Sequence, residues 1–196
     1  MDTIDTSALD RADMARLAGG HYAALNDLMS RHAGKLFHFL YRMLGNEDDA
    51  NDLAQETFVR VFQHRERYQP QAKFSTWLFT IAGNLARNHH RWRSRRPEGS
   101  LNAPVGDTDM PLADTLPADG GDPGEAILEA ERAELVRSAV AALPEDMHEA
   151  IVLCEWEELP VAEAAVVAGC SVKALESRLH RARQLLRERL ARRLAQ

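Results

Sequence analysis

The feature that most restricts this chain is a helical spacing of apolar residues that runs through both halves and is interrupted once, between residues 97 and 125. From Tyr22 to Leu44 the residues Leu25, Leu28, Leu36, Leu40, Met43 and Leu44 recur at helical intervals, and Gly45 offers a C-cap. Asn46 suits an N-cap ahead of Glu47, Asp48 and Asp49, whose charges match the positive end of a helix dipole. The helix it opens is predicted to bury Leu53, Phe58, Val61 and Phe62 and to run to about His64. A loop over residues 65–73 follows, and Ser75 or Thr76 opens a helix that packs Trp77, Leu78, Ile81 and Leu85 and ends near Arg93. No segment alternates with a period of two, so the expected class is all-α, as two small helical domains.

The interruption holds five of the eight prolines, five of the eleven glycines and seven acids, with no Lys or Arg. It reads as a flexible acidic linker, because it has too few apolar residues to offset the entropy of ordering it; a structured long loop is the alternative. The predicted organisation is therefore a tail or short helix over 1–20, a helical module over 21–96, the linker over 97–125 and a second helical module over 126–196. In that second module one helix spans 126–142, Leu143-Pro144 breaks it, and another spans 145–156. A short helix near 161–168, a turn at Gly169-Cys170-Ser171 and a long helix from Val172 to about Leu194 complete it.

A formal net charge of −6 argues at first against a nucleic-acid partner. Its distribution argues otherwise. Residues 1–97 carry 14 basic and 11 acidic side chains, residues 98–125 carry 7 acids alone, and residues 126–196 carry 10 basic against 12 acidic. The positive charge is concentrated in two short helical stretches, and local clustering sets the field at a binding surface. No run approaches the roughly 18 apolar residues needed to span a bilayer. The polar start lacks the pattern of a signal peptide, and Cys154 and Cys170 show no zinc or redox spacing, so a reducing, cytoplasmic setting is expected.

Residues 161–180 fit a helix-turn-helix: small Ala164 and Ala165 permit close approach, Gly169 makes the turn and Ser171 caps the second helix. That helix keeps Val172, Leu175, Leu179, Ala182 and Leu186 toward a core and presents Lys173, Glu176, Ser177, Arg178, His180 and Arg181 elsewhere. Such a helix fits a major groove, its first turns on base edges and its later arginines on phosphates. The alternative is a solvated, coiled-coil-like face.

Three segments carry a resemblance. SVKALESRLHRARQLLRERL resembles the end of region 4 of extracytoplasmic-function (ECF) sigma factors; FSTWLFTIAGNLARNHHRWRSRR resembles their regions 2.3 and 2.4, and EDDANDLAQETFVRVFQ their region 2.2. The three occur in family order and spacing. The resemblance implies a subunit that binds core RNA polymerase, through the β′ coiled coil and the β flap, and directs it to the −10 and −35 elements of promoter DNA. It also implies control by a cognate anti-sigma factor, with no membrane insertion of the chain itself. The core-binding residues it implies are Asp48, Asp49, Asp52, Gln55, Glu56 and Val59, an acidic and amide stripe that residue chemistry alone leaves open between docking and a solvated face.

For the −10 element the expected residues are Tyr68, Lys73 and Phe74 of the loop, with Thr80, Asn84, Arg87, Asn88 and Arg91 of the following helix, whose amides and arginines suit a separated strand. Phe74 has a core reading beside its DNA reading, and Trp77 and Trp92 are read as packing residues. For the −35 element the expected residues are Ser171, Lys173, Ala174, Glu176, Ser177, Arg178 and Arg181. The start Ser171-Val172-Lys173-Ala174-Leu175 departs from the family's usual P-V-G-T-V, which leaves the base preference open. No catalytic constellation, cofactor or metal site is expected: His89 and His90 are adjacent and point apart on a helix. An ordinary helix-turn-helix regulator with an N-terminal sensing or dimerisation module is the competing function.

Overall fold

A computed structural model describes residues 6–95 and 123–194, and all its regular elements are helical. The first module contains α1 (Ser7–Ala18), α2 (Ala24–Leu44), α3 (Glu47–Gln63), a 3-10 turn at Arg65–Arg67 and α4 (Phe74–Arg95). The second contains α5 (Pro123–Ala141), α6 (Glu145–Ile151) running into a π-helical turn at Val152–Trp156, α7 (Val161–Val167) and α8 (Val172–Leu194). The expected linker lies outside the described residues except at its end, where α5 begins at Pro123 rather than Ala126. Proline is tolerated there because a first-turn N–H has no helical partner to lose.

The local signals act as their chemistry requires. Gly45 takes φ 67°, a left-handed C-cap whose N–H donates to the Tyr41 carbonyl, and Asn46 Oδ1 accepts from the Asp49 amide at 2.9 Å. Leu28, Leu36, Phe39 and Leu40 of α2 are buried against Phe58 and Val61 of α3 and Phe74, Leu78, Phe79 and Ala82 of α4. Leu53, Phe62, Trp77 and Ile81 pack at the margin of this core. Within the expected tail or short helix over 1–20, the described residues form α1: Met14 and Leu17 are buried, and Arg31 reaches back to Asp10 and Asp13.

In the second module Leu175, Leu179 and Ala182 of α8 bury against α6 and α7, with Leu186 half-buried; Val172, expected on the core side, is exposed because it stands at the helix start. The two modules are not separate. The α7 helix lies against α4, and buried residues from both form one continuous cluster.

Candidate polymerase and nucleic-acid interfaces

On α3 the side chains of Asp48, Asp52, Gln55 and Val59 are exposed and share one face, opposite buried Phe58 and Val61. Two expected members are engaged elsewhere. Asp49 lies 3.0 Å from Arg93 and 3.3 Å from His89, tying α3 to α4, and Glu56 pairs with Arg60 one turn on at 2.7 Å. The free stripe is thus three polar side chains and one valine, an acidic surface with an apolar foothold.

The loop before α4 is folded onto its own helix. Tyr68 donates its hydroxyl to the Ala72 carbonyl at 2.8 Å, and its ring lies 5.4 Å from that of Trp77. Phe74 is buried, with its ring near His32 and Trp77; its DNA reading gives way to its core reading. Thr80 is half-buried and donates back to the Thr76 carbonyl at 2.7 Å, the usual way a mid-helix threonine satisfies its hydroxyl. Asn84, Asn88 and Arg91 are exposed, with Arg91 Nη2 donating to Asn88 Oδ1 at 2.6 Å. Trp92, expected to pack, is 53% exposed beside them. The adjacent histidines diverge: His90 reaches the Met43 carbonyl, whereas His89 faces Asp49.

Lys73 and Arg87 meet acids of the second module. Lys73 Nζ and Thr76 Oγ1 donate to Glu163 at 2.7 and 2.8 Å. Arg87 pairs with Glu149, and its Nη2 also reaches Asn84 Oδ1 and the Val167 carbonyl. Burial pushes the Glu163 carboxyl up, but the hydrogen bonds from Lys73 and Thr76, with the Lys73 charge, leave it below its ordinary range. For Glu149 the balance reverses: burial raises it, and Arg87 and Arg178 only partly offset that. Reading the sequence missed Glu149 and Glu163. The available signal was an acid set directly before an apolar run, Ala150 to Leu153 for Glu149 and Ala164 to Val167 for Glu163, a place where a charge requires a partner.

In the helix-turn-helix, Ala164 and Ala165 are buried at the crossing, Gly169 turns the chain at φ 63°, and Ser171 Oγ accepts from the Ala174 amide at 3.2 Å. Lys173, Glu176, Ser177 and Arg181 face solvent, while Ala174 is half-buried. Arg181 Nη2 donates to Ser177 Oγ, and Arg178 lies with its Nε 3.4 Å from Asp146 on α6. Cys154 and Cys170 are half-buried and pack on the core; burial pushes the Cys154 thiol up, away from reactivity.

Two modules of this kind, an acidic-striped bundle with an amide and arginine helix and a helix-turn-helix, define a class of transcription-initiation subunit. Residues 28–96 match the family model for Sigma-70 region 2, and residues 133–186 match that for Sigma-70, region 4. The chain is 33% identical to the ECF RNA polymerase sigma factor SigW of Bacillus subtilis, over 87% of this chain and 91% of that one. It is 34% identical to the ECF sigma factor SigE of Mycolicibacterium smegmatis, over 89% and 65% respectively. Among solved structures, CnrH in complex with the cytosolic domain of CnrY superposes with a TM-score of 0.66 at 30% identity, covering 93% of this chain and 97% of that one. The chain belongs to the sigma-70 family, in its ECF group, and directs transcription initiation.

Proposed function

We propose that the chain docks on core RNA polymerase in the cytoplasm through Asp48, Asp52, Gln55 and Val59, reads the −10 element with α4 and its preceding loop, and reads the −35 element with the start of α8. The observation that carries this reading is the division of labour among exposed faces: an acidic stripe on α3, an amide and arginine stripe on α4, and a mixed polar face at the capped start of α8. The stripe suits a basic partner helix such as the β′ coiled coil, and α8 suits duplex DNA beside the β flap. No helix among the described residues is long and apolar enough to cross a membrane. Because CnrH is recorded with a cytosolic partner domain, an anti-sigma factor that grips both modules is part of the same proposal.

In vitro transcription with purified core polymerase and genomic promoter fragments tests it. The protein should co-purify with core and support initiation at specific promoters; failure of both ends the reading. Asp48→Arg with Asp52→Arg should abolish core binding while circular dichroism is unchanged, and undiminished core affinity would reduce the stripe to a solvated face. The competing regulator would bind a duplex palindrome as a dimer without polymerase.

A further inference from the structure

Among the described residues three ionic contacts cross between the modules, and two of them consume side chains assigned above to −10 reading. Lys73, helped by Thr76, holds Glu163 of α7, and Arg87 holds Glu149 of α6. The third lies outside that surface: Arg42 Nη1 donates to Glu157 Oε1 at 2.9 Å, with its guanidinium 5.9 Å from the Trp156 ring centre. Gly83 lies at the crossing: a Cβ there would meet Val167 Cγ1 at 3.6 Å and Glu149 Oε1 at 3.5 Å, ordinary contact distances, and the flexible end of Arg87 at 3.3 Å, so a small side chain fits between the modules. Packing alone would bring apolar faces together. Here each acid instead ends on a cation, or on a cation and a hydroxyl, which is the ligand set a backbone phosphate takes.

We propose that the second module carries a built-in mimic of the nucleic-acid backbone: Glu149 and Glu163 occupy phosphate positions on α4 and its loop, so the free chain holds the Lys73 and Arg87 part of its −10 surface shut while Asn84, Asn88 and Arg91 stay exposed. The proposal rests on the assignment of Lys73 and Arg87 to −10 reading. Because both acids belong to the same chain, a DNA strand competes with an intramolecular ligand at high effective concentration. The closure is selective. Asp48, Asp52, Gln55 and Val59 stay exposed, as do Lys173, Glu176 and Arg181. Polymerase and the −35 duplex therefore reach the closed chain, and the −10 strand engages Lys73 and Arg87 only after the modules part.

The test uses the full chain with Arg42→Glu and Glu163→Gln. These changes remove two of the three contacts yet leave the chain one charge unit more negative, so charge alone would weaken DNA binding. Small-angle scattering should show a larger radius of gyration, and anisotropy with a labelled short A+T-rich single strand should show affinity raised about fivefold or more. Adding Glu157→Arg inverts the Arg42 pair; it should restore the compact radius and lower the affinity again, although it adds positive charge. Unchanged dimensions and affinity, or an affinity that simply follows net charge, would overturn the proposal.

Should the opened variant not fold, Gly83→Cys with Val167→Cys in a Cys154→Ala, Cys170→Ala chain supplies the converse. The oxidised, locked form should bind the same strand more weakly than the reduced form, and equal binding would refute the masking. Arg87→Ala in promoter transcription with core polymerase separates the two readings. Unaltered transcription removes the −10 assignment, and the mimic with it. Impaired transcription alongside an opened variant that gains no affinity removes the mimic alone.

Discussion

The helices α4 and α8 are of similar length, 22 and 23 residues, and both are rich in arginine, yet they hold their charge differently. On α4, Arg87 is turned onto Glu149 and Arg93 onto Asp49. On the first turns of α8, Lys173, Glu176, Ser177 and Arg181 face solvent. The difference follows from position. The α4 helix is wedged among α2, α3 and α7 and buries Phe74, Leu78, Phe79, Ala82, Leu85 and Ala86, so much of its circumference meets protein. The α8 helix buries a narrower stripe, Leu175, Leu179 and Ala182, with Leu185 and Leu186 half-buried beside it, and leaves the polar side chains of its first turns open. Arginine count therefore measures the capacity of a helix for DNA, and the acids packed around it set how much is available.

The sharpest way to break this comparison is through Phe74, which opens α4 where the −10 strand is expected. Buried among aromatic rings, it should behave as core: Phe74→Ala should cost about 3–5 kcal/mol in urea or thermal unfolding. A variant that unfolds like the wild type but fails to open promoters would return Phe74 to the DNA surface.

The next effect is pH dependent and belongs to the junction between the modules. His148 of α6 is held at about 4 by burial first and by the charge of His90 second, against a hydrogen bond with the Arg42 backbone that raises it. Its folded value lies below the ordinary 6.5, so above pH 6.5 both states are neutral and nothing is lost. As pH falls from 6.5 toward 4 the unfolded chain takes up a proton that the folded chain refuses, and stability declines by up to about 3 kcal/mol. Glu149 and Glu157, raised by burial, act in the opposite direction nearer the carboxylate range. The His148 effect is therefore read in the upper part of the window. Urea midpoints measured across it should fall steeply for the wild type and flatten for His148→Gln; identical slopes would remove His148 from the account.

The local code of this fold was legible because its signals are short-range. Gly45, Asn46, Gly169 and Ser171 act within a few residues, and each caps or turns the chain as its chemistry predicts. The apolar spacing likewise located α2, α3, α4 and α8. The exposed half of the α3 stripe was legible too, since Asp48, Asp52, Gln55 and Val59 follow from helical period alone. What the sequence could not reveal was long-range pairing. Arg42 with Glu157, Lys73 with Glu163 and Arg87 with Glu149 join residues far apart in the chain, and periodicity carries no information about which charge meets which. Trp92 and Val172 differ from their expected packing for a related reason: both lie near helix ends, where period gives a direction but does not fix how much of the side chain is covered.

A smaller effect probes α8 as a duplex reader. Arg178 is half-buried, with its Nε 3.4 Å from the exposed Asp146 and its charge felt by buried Glu149, so it can exchange the Asp146 contact for DNA. Arg178→Ala should lower −35-dependent transcription about tenfold, in the range of one lost base or phosphate contact, with core binding intact. Equal activity would make Arg178 a brace between α6 and α8 and nothing more.

The smallest effect separates the two helices most cleanly. Arg183 pairs with Glu155 at 2.6 Å, but both side chains are about half exposed, so the pair should contribute roughly 0–1 kcal/mol to stability. If α8 presents its charge to DNA, Arg183 can exchange Glu155 for a phosphate without opening the fold. Arg183→Ala should then leave the melting temperature nearly unchanged while reducing the slope of log affinity against log salt, measured on −35 duplex, by about one. On α4 the same kind of substitution at Arg93 should likewise cost little stability, but should leave the salt slope nearly unchanged, because Arg93 is turned onto Asp49, which His89 also faces. Finding the same slope change for Arg93→Ala and Arg183→Ala would show that both helices offer their arginines equally, and the contrast between them would fall.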